Sequence, residues 1–237
     1  MRPTLFSCYA FPPNELGYCG PPDASLLLHA ETHSQVHRHA REFSGAWPYL
    51  EEIAAAAQLR PLDPEVVRSY WVGGPLLDRV DGGRLLSRVR QEMARQPTGC
   101  LDLLDGGEEV LAHHSFHVMV VYPWVRFLDS GPETPLRVLQ SCRIRWGVTT
   151  SVDDELAVIN STPLLFDGRR LYLGPARPET VRWNRAGTTL VPRPEVGQTV
   201  SAHWDWVCGT LDAPQLESLA TATETTIALV NRVRARR

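Results

Sequence analysis

The sequence has 237 residues, of which 43% are hydrophobic, 22% are charged and 8% are aromatic. This composition is that of an ordinary globular protein and excludes a chain that is disordered over most of its length. The net charge of −3 gives no electrostatic reason to expect nucleic acid or an acidic membrane surface as a partner.

All 24 basic residues are arginine, so the chain has no lysine for a Schiff base or a phosphate-binding loop. The five cysteines occur at irregular spacings, and the N-terminus has no secretory signal pattern. We therefore expect a cytoplasmic protein with reduced thiols.

Residues 1–134 predict a helical domain with turns at glycine and proline. Pro48 suits the first turn of a helix over 48–59, and Asp63 before Pro64 suits the cap of the next helix. The segment 110–128 is the most apolar, but it contains three histidines, a proline and an arginine. It therefore predicts a buried core element and no membrane span.

A linker over 130–135 divides the chain into predicted domains of residues 1–134 and 135–237. After it, short segments rich in β-branched and aromatic residues predict strands over 138–148, 156–160, 171–173 and 199–207. Turns are expected at 152–155 and 167–168, and the short strands favour a small closed barrel. Asp212 and Pro214 predict the start of a C-terminal helix. The predicted fold class is therefore α+β, with a helical N-terminal domain before the barrel.

Three strings in the second half resemble the HypC/HupF family of hydrogenase maturation chaperones. They are SCRIRWGV (141–148), DELAV (154–158) and VGQTVSAHWDWV (196–207), and the resemblance covers about 136–229. It implies a small OB-like β-barrel with a C-terminal helix. The essential cysteine of the family falls on Cys142, and the histidine after its Val-Gly strand falls on His203. Cys142 is internal here, whereas the family cysteine is N-terminal.

The resemblance also implies an accessory or chaperone function in nickel–iron hydrogenase maturation. Cys142 and His203 would be ligands of a transiently carried iron unit, Fe(CN)2CO. The partners would be the hydrogenase large-subunit precursor or a HypD-like maturation scaffold, with contacts expected from Arg143, Arg145, Trp146 and Trp204. Arg143 and Arg145, just after Cys142, would favour its thiolate by charge.

The whole chain also resembles an actinobacterial family, in the strings FSCYAFPPNELGYCGP (6–21), HSFHV (114–118) and YPW (122–124). That resemblance implies a genomic setting beside uptake-hydrogenase genes and gives no mechanism.

Two other functions remain open. One is a non-catalytic interaction module of the assembled hydrogenase that has lost the iron site. The other is a metal-binding enzyme that uses histidines of the helical domain, which requires convergence of their side chains with a further ligand. The candidate ligands are His113, His114, His117, Cys8, Cys19 and His39. No catalytic triad or nucleotide fingerprint is present, so we expect the protein not to be an enzyme.

Overall fold

The computed structural model describes residues 3–29 and 33–236 of the chain. Helices dominate up to Cys142, strands follow up to Thr210, and a long helix comes last, so the predicted α+β class is confirmed. The α-helices are α1 (Leu5–Glu15), α2 (Ser25–His29), α3 (His33–Ala40), α4 (Trp47–Ala57), α5 (Pro64–Trp71), α6 (Gly82–Glu92), α7 (His114–Phe116), α8 (Glu133–Cys142) and α9 (Ala213–Arg234).

Several helix starts lie where the sequence predicts them. The Asp63 side chain accepts the backbone N–H of Glu65 at 3.0 Å, and Pro64 opens α5. Asp212 accepts the N–H of Gln215, whose side chain accepts the N–H of Asp212 in return. This reciprocal pair satisfies two backbone donors that a helix end leaves unpaired.

The strands are β1 (Arg145–Val152), β2 (Leu156–Ser161), β3 (Leu164–Phe166), β4 (Leu171–Leu173), β5 (Arg177–Arg182), β6 (Asn184–Arg185), β7 (Thr188–Thr189), β8 (Thr199–His203) and β9 (Trp206–Thr210). Five of them pair in the order β1-β2-β5-β9-β8, and β8 pairs back with β1, so this sheet closes on itself. Its pairs are antiparallel except for β5 with β9, which meet in parallel at Arg182 and Trp206. The expected turns at 152–155 and 167–168 connect β1 to β2 and β3 to β4.

One large hydrophobic core includes residues from both sides of the predicted boundary at 134, and a smaller one belongs to the closed sheet. Polar contacts cross the same boundary. The hydroxyls of Tyr9 and Ser201 are 2.8 Å apart, and those of Ser115 and Thr226 are 2.7 Å apart. The boundary therefore does not coincide with a break in the core.

The apolar segment 110–128 forms part of this core, as predicted. It begins with α7, continues as a wider π-helical stretch over His117–Val121, and ends in a 3-10 turn over Pro123–Phe127. Residues 112–121 are all buried. No helix within the described ranges is both long and apolar enough to cross a membrane.

Two sequence predictions about the closed sheet are wrong. The predicted strand over 138–148 is helical up to Cys142, because Pro135, Val138, Leu139 and Cys142 form a buried stripe at helical spacing. Cys142 thus ends α8 and does not begin a strand. The single strand predicted over 199–207 is two strands, because β8 ends at His203 and a two-residue hairpin turn separates it from β9.

Candidate metal centre

Three buried side chains from distant parts of the chain meet between the helices and the closed sheet. His114 is the first residue of α7, Cys142 is the last of α8, and His203 is the last of β8. Their ligand atoms all lie within 4.8 Å of one another. Within the described part of the chain, this is the one group of three or more histidine, cysteine or acidic side chains close enough to hold a metal ion. We call these three residues the metal centre.

The His203 ring presents a free nitrogen lone pair. Its Nδ1–H donates to the Tyr9 carbonyl oxygen at 2.7 Å, which fixes the neutral tautomer and leaves Nε2 without a proton. Burial lowers the pKa of His203 well below its ordinary value, so the ring stays neutral. Nε2 is buried and has no hydrogen-bond partner in the structure. A buried lone pair with no donor is the arrangement that a metal ligand needs.

His114 has more acceptor contacts than protons. Its Nε2 lies 3.0 Å from the Cys142 carbonyl oxygen, and its Nδ1 lies 3.1 Å from the Tyr70 hydroxyl, which donates to the Gly45 carbonyl at 2.9 Å. Burial lowers the pKa of His114 to about 3, so the neutral ring carries a single proton. These three contacts therefore share two protons, one on the His114 ring and one on the Tyr70 hydroxyl. A cation bound at one ring nitrogen would remove this shortage.

The Cys142 thiol supplies the third donor. Burial raises its pKa to about 12, and the nearby Trp204 indole N–H and Arg145 guanidinium oppose that rise only in part. The charge of Arg145 therefore favours the thiolate as expected, but the cost of burying the charge is larger, so the thiol keeps its proton. A metal ion would take the place of the thiol proton.

Aromatic rings enclose the two imidazoles. The Trp71 ring lies 4.4 Å from the His114 ring and 5.6 Å from the His203 ring, measured between centroids. The two imidazoles meet edge to face at 5.1 Å. His114 and His203 are only 6% and 0% exposed, so a bound ion would be shielded from water.

A comparison with family models identifies where this chain belongs. The model described as "Family of unknown function (DUF6390)" matches residues 2–237. The chain belongs to this family. No curated protein and no solved structure matches it.

The DUF6390 chain does not present all four predicted partner contacts at its surface. Trp146 and Trp204 are partly exposed, but Arg143 and Arg145 are 1% and 3% exposed. Arg145 donates to the Ser141 and Trp204 carbonyls, so it holds together the two segments that carry Cys142 and His203. Neither arginine is therefore accessible to a partner in this structure.

The other candidate ligands of the helical domain do not converge as the enzyme alternative requires. His113 contacts the Ser115 hydroxyl at 2.8 Å, and His117 contacts the Tyr49 hydroxyl at 3.3 Å. The Cys8 thiol donates to the Leu190 carbonyl at 3.1 Å. His39 lies 3.9 Å from a carboxylate oxygen of Glu42. Cys19 lines a cavity with His117.

The sequence indicated Cys142 and His203 as a pair but did not join His114 to them. His114 appeared only among the alternative ligands, because its partners are 28 and 89 positions away. The contacts of Tyr9, Tyr70 and Trp71 with the two imidazole rings were not predicted either. The available signal was weak: a run of three histidines within five residues of a strongly apolar segment, where each buried imidazole needs a partner.

Proposed function

We propose that this protein is a metal-binding accessory protein of nickel–iron hydrogenase maturation, with one ion bound by His114, Cys142 and His203. The convergence of Cys142 and His203 around an unpaired His203 Nε2 carries the proposal. The three strings that resemble the HypC/HupF family support hydrogenase maturation as the biological setting. We interpret the closed sheet as the OB-like barrel that this resemblance implies.

The donor set indicates the class of metal. One thiolate and two imidazoles suit borderline or soft ions such as Zn²⁺, Fe²⁺ or copper, and they disfavour Mg²⁺ and Ca²⁺, which prefer oxygen ligands. The charge of the Arg145 guanidinium favours the Cys142 thiolate and would stabilise it when an ion is bound.

Because the metal centre is buried, it suits an ion that stays bound better than an ion that is transferred to a partner at the protein surface. Release to a hydrogenase precursor would require the segments over the centre to open. Carriage of the Fe(CN)2CO unit is the further expectation from the HypC/HupF resemblance, and infrared spectroscopy tests it directly.

The full-length protein is expected to copurify with about one equivalent of transition metal, measured by plasma mass spectrometry. Cys142→Ser and His203→Asn each remove one of three ligands. Each should weaken affinity, measured by competition with a chromophoric chelator, by more than the 10–100-fold typical of losing an outer-shell contact. Cys8→Ser is the matched control, because a serine hydroxyl can donate to the same Leu190 carbonyl. Metal content equal in all four proteins, or no affinity in the wild type, would refute the metal centre.

Cys142→Ala is expected to abolish copurification with the hydrogenase large-subunit precursor in the native host, while circular dichroism shows an intact fold. Cyanide and carbonyl stretching bands in the wild type, absent from the variant, would support carriage of the iron unit. A metal-free wild type that binds the mature hydrogenase would instead favour the interaction module. Unchanged copurification together with unchanged hydrogenase activity would contradict a function in maturation.

A further inference from the structure

A cavity of about 310 Å³ lies between the loop after α1, the segment before α4 and the end of the π-helical stretch. Its walls include the aromatic rings of Tyr18, Tyr122 and Trp124 and the buried side chain of Met93. No charged side chain and no residue of the metal centre lines it among the residues that the structure describes. Its volume is near the lower end of the range of about 300–1,000 Å³ for small-molecule sites, so it suits a small occupant.

His117 forms part of the cavity wall and has an unused ring nitrogen. The side chain is 1% exposed, and Nε2 has no hydrogen-bond partner in the described part of the chain. A Cβ atom added at Gly45 would lie 2.6 Å from Nε2, closer than to the two neighbouring ring carbons, so the tip of the ring points at Gly45. Gly45 lines the same cavity, and a side chain at this position would cover Nε2.

The contacts of His117 identify Nε2 as a hydrogen-bond donor. Nδ1 lies 3.3 Å from the Tyr49 hydroxyl, which makes no other hydrogen bond to the described residues. The hydroxyl therefore donates to Nδ1, and the neutral ring carries its own proton on Nε2. Burial lowers the pKa of His117 to about 3, so the ring takes up no second proton at neutral pH. Because a buried N–H without an acceptor is costly, this wall of the cavity favours an occupant with an acceptor atom.

The backbone at His117 has a geometry that often occurs at binding sites. His117 begins the π-helical stretch, and the Tyr122 N–H donates to the His117 carbonyl at 2.9 Å across its wider turn. Such turns are rare in proteins and are frequently found at functional sites. The same turn places the Tyr122 ring 4.6 Å from the His117 ring, measured between centroids, so an aromatic wall lies beside the donor.

We propose that this cavity binds a small uncharged aromatic molecule that accepts a hydrogen bond from His117 Nε2–H, for example through a carbonyl oxygen. The rings of Tyr18, Tyr122 and Trp124 supply surface on which an aromatic ring can stack. An ion is disfavoured, because the described lining offers no opposite charge to offset its desolvation. The site does not depend on a bound metal ion, so failure of the metal centre would leave it standing.

Binding of acetophenone and ethylbenzene to the full-length protein, measured by nuclear magnetic resonance titration, tests the donor. The two probes have the same ring and nearly the same size, but only acetophenone has an acceptor. His117→Phe keeps a ring and removes the N–H, so affinity for acetophenone should fall by roughly five- to tenfold while affinity for ethylbenzene does not fall. His29→Phe, the same substitution at an exposed position outside the cavity, should match the wild type with both probes.

Two measurements on the wild type locate the bound probe without any variant. The nitrogen-15 spectrum of labelled histidine should show the His117 proton on Nε2, and acetophenone should shift that resonance. Acetophenone should also slow alkylation of Cys19 by iodoacetamide, because Cys19 lines the cavity. Benzoate, which has the same ring and a charged carboxylate, should bind at least about tenfold more weakly than acetophenone.

Equal losses of acetophenone and ethylbenzene affinity in His117→Phe, or binding of benzoate as tight as that of acetophenone, would overturn the proposed class of ligand. If acetophenone does not bind, or binds without shifting the His117 resonance and without slowing alkylation of Cys19, the cavity is not a site for such molecules and holds only water.

Discussion

Metal-free protein is expected to lose stability steeply as the pH falls below about 6.5. Burial lowers the pKa of His113, His114 and His117 to about 3 and that of His203 well below its ordinary value. The unfolded chain takes up these four protons near pH 6.5, whereas the folded chain does not. The contribution of these histidines to the free energy of unfolding is therefore at its maximum above pH 6.5, and it is lost as the pH drops toward 3.

The expected effect is large. Each proton taken up only by the unfolded chain costs about 1.4 kcal/mol per pH unit, so four histidines give a limiting slope of about 5.5 kcal/mol per pH unit. Because a folded domain has about 5–15 kcal/mol in total, acid unfolding is expected near pH 5. Urea unfolding in the presence of a chelator, followed by circular dichroism at a series of pH values, measures the slope.

Two variants separate buried from exposed histidines. His117→Gln should reduce the slope by about one quarter, because one of four protons is removed. His29→Gln makes the same substitution at an exposed position and is the control. A free energy of unfolding that stays constant between pH 6.5 and 4.5 would contradict the neutral, buried state of these rings.

Arg145→Met is expected to destabilise the protein by about 3 kcal/mol, the lower end of the cost of breaking a buried ion pair from one side, because Arg145 is buried and Glu179 only partly so. Arg145 is 3% exposed and its Nε donates to a Glu179 carboxylate oxygen at 2.8 Å. Its Nη atoms donate to the Gln140, Ser141 and Trp204 carbonyls. The methionine fills the space but donates to none of these acceptors, although the Ser141 carbonyl keeps the Trp204 N–H and Glu179 keeps the Ser161 hydroxyl.

Urea unfolding at neutral pH measures this loss. Arg182→Met is the matched control, because Arg182 pairs with exposed Asp205 at 3.5 Å and such pairs contribute less than about 1 kcal/mol. Arg145→Met combined with Glu179→Leu should recover part of the loss, since the second change removes the unpaired carboxylate. If Arg145→Met lowers the free energy of unfolding by less than about 1 kcal/mol, the contacts of the guanidinium with Glu179, Ser141 and Trp204 do not stabilise the fold.

Local sequence signals predicted local structure well in this chain. Asp63, Asp212 and the turn at 167–168 act through neighbours a few residues away, so the sequence shows both partners at once. The start of the sheet was placed too early because Val138 and Leu139 suit a buried strand and a buried helix stripe equally. Their spacing to Pro135 and Cys142 was the signal for a helix.

The metal centre was predictable only in part. Cys142 and His203 followed from the family resemblance, but His114 depends on how α7 packs against the sheet, which no short motif encodes. The metal-binding enzyme alternative required His113 and His117 to converge on one ion. In the structure the helix widens at His117, and the two rings contact different hydroxyls.

The contacts of α1 with β8 have a consequence for the order in which the chain folds during synthesis. Tyr9 meets Ser201 and His203 across 192 and 194 positions, so most of the chain must leave the ribosome before these contacts exist. Until then, α1 exposes an apolar surface, and closure of so long a loop slows folding. His114, Cys142 and His203 can therefore meet only after translation has passed β8, so any ion that they bind would be bound after most of the chain has been made.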